Sequence, residues 1–274
     1  MPENIEIKLN DVQTTLLLPL WGRAVETKKI NPLLVDKSAS EIIGKLNYDF
    51  STFAENIHPI TQFEWVARSI HIDLTIKEFL NRYPKATILN IGCGLDTTFE
   101  RVDNGRMYWY DLDLPEVIEL RKKFILEEGR RKFISQSFLD DSWFGELHIE
   151  ENILFIAAGV MYYFSEAEIK GIFNKISSCF PGSEFVFDAA SSFGVKVANQ
   201  KVIRNSGLNE RAFLKWGLEK AADIQKWNYK IKVVNEYPMF KKLTSGLSFK
   251  NKISAFISDR YKIMYMVHLK FLKN

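Results

Sequence analysis

Between Ile60 and Tyr83 the apolar residues Phe63, Val66, Ala67, Ile70, Leu74 and Phe79 recur at helical spacing. That spacing predicts one helix with a single buried face, ended by Pro84. Residues 10–30 and 38–83 read mainly as helix. From Ala86 the pattern changes to short apolar runs, with strands predicted at 87–91, 107–112, 132–136, 153–158 and 184–188. Helices of about a dozen residues separate them, the alternation expected of βαβ units and a doubly wound α/β sheet. Pro115 opens one of these helices, and Ser165-Glu-Ala-Glu168 is a capping box for another. Beyond Asp188, residues 190–208 read as a connection or lid, and 209–227 as a helix carrying Phe213, Leu214, Trp216, Leu218 and Ala221. Two last runs, 231–240 and 261–272, read as strands. The second alternates Ile263, Tyr265, Val267, Leu269 and Phe271 with polar or long side chains, as an antiparallel strand with one wet face does.

Composition changes this picture little. With 274 residues, 46% hydrophobic and 26% charged, the chain suits one α/β domain with a cap rather than a disordered chain. The expected division is a helical N-terminal cap (1–84), a βαβ core (85–190), a lid or cap insertion (191–230) and terminal antiparallel strands (231–274). No apolar run reaches the roughly 18 residues that span a bilayer, so no membrane association is expected. Cys93 and Cys179 form no CxxC and the four histidines have no ligand spacing, which predicts no metal and a reducing cytoplasm. Charge is uneven. From Lys226 onward eleven Lys/Arg face two Asp/Glu, a net of +9 that leaves −6 for residues 1–225. Such a field could attract an anionic substrate or nucleic acid, but lysines on the wet faces of edge strands account for it without one.

The chemistry concentrates in Asn90-Ile-Gly-Cys-Gly-Leu-Asp96 and in Tyr110-Asp-Leu-Asp113. A strand that breaks at Gly92-Cys93-Gly94 lets a ligand approach bare backbone, and an acidic residue ending the next strand can accept hydrogen bonds from a ribose diol. Asp113 and Asp111 both fit that part. A dinucleotide site calls for a third glycine, where this chain has Thr97, and Asp96 would repel a pyrophosphate. An NAD-dependent oxidoreductase is therefore disfavoured. A nucleoside without phosphates fits better, and S-adenosylmethionine is the common one.

On these residues the chain resembles the S-adenosylmethionine-dependent O-methyltransferases related to leucine carboxyl methyltransferase and the polyketide-synthesis methyltransferases. The resemblance runs from Thr14–Ala24 and Arg68 through Asn90–Thr97, Arg101, Tyr110–Glu116 and Arg121. Ser137-Phe-Leu-Asp140, Trp143 and Ala158–Phe164 complete it, over about residues 12–190. Two positions depart from it: Ala158 stands where many relatives have Glu, and Thr98 where they often have Arg.

The resemblance implies a class I, Rossmann-like methyltransferase: a mostly parallel seven-stranded sheet with an antiparallel last strand and an N-terminal helical cap. It implies that Gly92, Cys93, Gly94 and Asp96 border the cofactor's amino-acid end and that Arg68 pairs with its carboxylate. Asp113, with Leu112 beside it and Asp111 as the second choice, would bind the ribose. Ser137, Phe138 and Leu139 would lie at the adenine edge, and Ala158 and Gly159 beside the sulfonium. On the residues alone, Arg68 also reads as a surface pair with Glu64, four positions earlier, and an Arg68→Ala variant is expected to keep its fold. Cys93 has no activating neighbour in sequence.

Methyl transfer from a sulfonium needs alignment more than acid–base chemistry. A carboxylate acceptor needs no base, and a hydroxyl benefits from one. Tyr163, Asp188, His58 and His71 are the candidates for that part, and Arg23 is a candidate to hold an anionic acceptor. The expected partner is a small molecule such as a polyketide-like metabolite, with oligomeric state open. A protein C-terminal carboxyl group is the alternative acceptor. A nucleic-acid enzyme is disfavoured because Ala157-Ala-Gly-Val-Met161 replaces the proline-and-aromatic loop of base-methylating enzymes.

Overall fold

Seven strands form one twisted sheet in the computed structural model, which describes residues 5–6, 11–245 and 247–273. The first position of the predicted helix over 10–30, and parts of the predicted 1–84 cap and 231–274 segment, lie outside these residues. In chain order the strands are β1 (Ile5–Glu6), β2 (Leu46–Asn47), β3 (Thr87–Ile91), β4 (Tyr108–Asp113), β5 (Arg131–Ser135), β6 (Ile153–Ala157), β7 (Glu184–Ala189), β8 (Ile231–Pro238) and β9 (Tyr265–Phe271). β1 and β2 pair with each other. The main sheet runs β5-β4-β3-β6-β7-β9-β8. Pairing is parallel from β5 to β7 and antiparallel across β7–β9 and β9–β8. The class I methyltransferase architecture is thus present.

Burial explains the run-like strands. Every residue of β3, β6 and β7 is buried, because helices cover both faces of these central strands. β8, on the edge, is only partly buried, and its Lys232 faces water. The chain reverses between β3 and β6, so the carboxyl ends of β4 and β7 lie on opposite sides of that switch point, where open α/β sheets bind ligands.

The Pro59–Arg82 helix covers one face, with Pro59 in its first turn and the His58 ring accepting from the Ile60 amide. Leu17–Thr27 and Lys37–Lys45 pack against each other and extend the cap. The capping box at Ser165 is formed, opening Glu166–Cys179. Residues 209–227 differ from expectation. They contain only short 3₁₀ turns, Glu210–Ala212 and Ala221–Lys226, joined by extended chain. Leu214, Trp216 and Leu218 are buried at alternate positions, so a two-residue repeat on an extended segment imitated a helical stripe. A helix that periodicity did not signal spans Phe249–Arg260. It buries small Ala255 and Ser258 while Phe249 and Phe256 face water, which inverts the usual pattern.

Candidate active site

The turn after β3 is held from both sides. The Gly92 and Cys93 amides donate to the Leu112 carbonyl at 2.8 and 3.2 Å, tying the turn to β4. Gly92 sits at φ +61°, and a Cβ there would lie 2.5 Å from Val160 Cγ2, so only glycine suits the position. The Gly94 amide donates to Asp113 Oδ2 at 2.8 Å, and its carbonyl accepts from Arg121 Nη1 at 2.8 Å.

This turn borders a cavity of about 450 Å³ at the carboxyl ends of the strands, a size typical of small-molecule sites. Gly92, Cys93, Gly94, Asp96, Leu112, Asp113, Ser137, Phe138 and Leu139 all line it, as do Arg68, Ala158, Gly159, Arg23 and Tyr163. The structure therefore brings together all but one of the residues expected to bind the cofactor, along with Arg23 and Tyr163, whereas Asp188, His58 and His71 are not among the lining residues.

The exception is Asp111. It is fully buried behind the cavity wall, where Asn90 Nδ2, Trp109 Nε1, Arg121 Nη2 and Arg131 Nε all donate to it at 2.9–3.0 Å. With its acceptor sites taken, it has none for a ribose. Asp113 differs. Among the described residues only the Gly94 and Leu114 amides donate to its carboxylate, each at 2.8 Å, and burial pushes its carboxyl up to about 6 against those two bonds. A half-buried carboxylate short of donors is what a ribose diol would satisfy, so these residues fit a nucleoside.

Asp96, Arg23 and Arg101 are already paired. Asp96 is half-buried, yet the Arg23 and Arg101 guanidiniums and the Thr98 contacts hold it at about 2, so it is ionised. A pyrophosphate at this turn would face that charge. Arg23 donates to Asp36 at 2.8 Å and lies 3.8 Å from Asp96. Its charge is therefore not free to hold an anionic acceptor. Arg101 closes the same cluster, reaching Asp73 at 2.7 Å and Asp36 at 2.8 Å.

Arg68 is not on the surface. Its Nη1 donates to Asp188 Oδ2 at 2.8 Å and to the Tyr162 hydroxyl at 3.2 Å. Burial opposes its charge, but Asp188 and Tyr162 more than restore it. Asp188 also accepts the Gly159 amide at 2.6 Å, so it anchors the strand ends and does not cap the next helix, a part taken by Ser191.

Neither histidine candidate lines the cavity. His58 caps its helix, and His71 Nε2 meets the Met239 carbonyl at 2.8 Å. Tyr163 does line it, with burial raising its phenol and Thr15 opposing that. The Cys93 thiol is pushed far up by burial and is inert. Glu64 also lines the cavity, although in sequence it reads only as a surface partner of Arg68. The signal was present. Residues four apart share a helix face, so an inward Arg68 implies an inward Glu64.

Comparison with known proteins agrees with this geometry. The family model for leucine carboxyl methyltransferase matches residues 17–177. The chain is 28% identical over 214 residues to the tetracenomycin polyketide synthesis O-methyltransferase of Streptomyces glaucescens, covering 77% of each chain. It is 26% identical over 224 residues to an S-adenosyl-L-methionine-dependent methyltransferase of Gibberella zeae, covering 74% of this chain and 75% of the relative. Among solved structures, a DUF574 family protein of Streptomyces avermitilis superposes with a TM-score of 0.59 at 11% identity, covering 94% and 97% of the two chains. That last likeness concerns the fold. The chain belongs to the leucine carboxyl methyltransferase family and is an S-adenosylmethionine-dependent O-methyltransferase.

Proposed function

We propose that the chain methylates an oxygen of a small, largely apolar molecule such as a polyketide-like metabolite. The observation that carries this reading is the cavity itself. One side is bordered by Asp113 and the glycine turn, while Tyr162, Tyr163, Leu214 and Met264 supply an aromatic and apolar wall. A protein C-terminus would need room for the chain that precedes its last residue. Here the N-terminal segment, with Leu16 and Leu18, lines the same space.

In this reading S-adenosylmethionine supplies a methyl group on a good leaving group. Asp113 binds the ribose, Ser137–Leu139 border the adenine, and Gly92–Gly94 let the backbone approach the amino-acid end. Arg68, with Gly159 beside it, marks where the reacting end stops. These residues align donor and acceptor, and exclusion of water by the apolar wall does the rest. Among the described residues Cys93 and Cys179 are free thiols, which supports a reducing compartment such as the cytoplasm. No described helix is long and apolar enough to cross a membrane.

The test is transfer of tritiated methyl from S-adenosylmethionine to two kinds of acceptor. One is a set of small aromatic hydroxyl and carboxyl compounds, and the other is a peptide ending in a leucine carboxylate. Label on a small aromatic compound is expected. Label on the peptide alone would replace this reading with a protein carboxyl methyltransferase.

A further inference from the structure

Glu64 sits one turn before Arg68 in the Pro59–Arg82 helix, and both line the cavity. Their partners differ. Arg68 is tied to Asp188 and Tyr162, whereas no described residue hydrogen-bonds to the half-buried Glu64 carboxylate. The charged and titratable groups acting on it are Arg68 on its own helix, Asp188 ending β7, Asp259 on the Phe249–Arg260 helix and Tyr162 after β6. These place it on the β7 side. Asp113 ends β4, three strand intervals away and so roughly 14 Å across the sheet. A nucleoside held by Asp113 leaves the Glu64 end for the acceptor.

Resting on the O-methyltransferase reading above, we propose that the acceptor is a neutral hydroxyl, of a phenol or enol, and that Glu64 is the catalytic residue that receives its proton. The charges around it favour this over a carboxylate acceptor. Arg68 is bound to Asp188, Arg23 to Asp36, and Lys215 is exposed. An acceptor carboxylate would find no free guanidinium to pair with, because Arg68 is already matched to Asp188, and an ionised Glu64 would repel it. A hydroxyl meets Glu64 as a hydrogen-bond donor. During transfer the acceptor oxygen bonds the methyl carbon, and the carbon–sulfur electron pair stays with sulfur. The acceptor proton passes to a Glu64 carboxylate oxygen and then to water.

Burial raises the Glu64 carboxyl to about 8; Arg68 opposes the rise, and Asp188 and Asp259 add to it. A base in that range suits a phenol better than an ordinary carboxylate does. The sign follows: below about 8 Glu64 carries a proton and cannot accept another, so kcat/KM rises with pH. A positively charged cofactor shifts that rise downward.

The experiment compares wild type, Glu64→Gln and Glu64→Asp between pH 6 and 9, with 1-naphthol and 1-naphthoic acid as acceptors. Infrared difference spectra of the S-adenosylhomocysteine complex follow the protonated carboxyl band. Wild type is expected to methylate the naphthol, with a rate that rises to a plateau near pH 8. Glu64→Gln should lose about 100-fold or more in kcat/KM and lose the carboxyl band that titrates in wild type, while binding S-adenosylhomocysteine within twofold of wild type. Glu64→Asp should recover part of the rate. Transfer to the acid alone, transfer to neither compound, a rate that falls across this range, or a Glu64→Gln enzyme within threefold of wild type each overturns the assignment. Failure of wild type to bind S-adenosylhomocysteine defeats the methyltransferase reading itself, which separates the two.

Discussion

Replacing Asp111 with alanine should cost about 3–5 kcal/mol of folding stability, the usual loss when one partner of a buried ion pair is removed. Asp111 neutralises two guanidiniums, those of Arg121 and Arg131, at 2.9 Å each, and both side chains are shielded from water. Without the carboxylate the Arg121 charge would remain buried and uncompensated, and Arg131 would keep only Glu100 as its partner. The consequence reaches the site, because Arg121 also holds the Gly94 carbonyl. Urea unfolding should show a lower midpoint with little change in slope, and binding of S-adenosylhomocysteine should weaken only as the turn loosens. A variant with unchanged stability but no cofactor binding would return Asp111 to the ribose. That outcome would contradict the geometry.

Arg68→Ala should produce two losses together. The sequence alone suggests a variant that keeps its fold and loses only affinity. The structure overturns that expectation, because Asp188 is fully buried and depends on Arg68 for its counter-charge. Removing the guanidinium should destabilise the protein by about 3–5 kcal/mol and should also weaken cofactor binding. Arg68→Ala/Asp188→Asn, which removes the orphaned charge, should recover stability without recovering affinity. Thermal melting and calorimetry on the same samples separate the two effects. If the double variant were no more stable than the single one, the buried pair would not be the cause.

Much of this was legible in the chain because it rests on local rules. The switch from helical to strand-length runs at Ala86 marks the start of the sheet. The Gly92–Gly94 turn followed by Asp113 marks the cavity, since both depend on neighbours close in sequence. What was not legible depends on distant contacts. The separation of Asp111 from Asp113 is decided by Arg121 and Arg131, ten and twenty residues away, which fill one carboxylate and spare the other. The pairing of Arg68 with Asp188 spans 120 positions. The 209–227 segment misled because alternate burial of Leu214, Trp216 and Leu218 on extended chain resembles a partial helical stripe.

The central claim is that this cavity binds S-adenosylmethionine through Asp113 and excludes dinucleotides through Asp96. Isothermal titration of the wild-type protein with S-adenosylhomocysteine and with NAD, at pH 7.5 and at pH 5, tests it directly. Saturable binding of S-adenosylhomocysteine and none of NAD is predicted at pH 7.5. Binding should be weaker at pH 5, because Asp113, raised to about 6 in the free protein, then takes up a proton and loses an acceptor for the ribose. NAD binding, or no S-adenosylhomocysteine binding at either pH, would contradict the account.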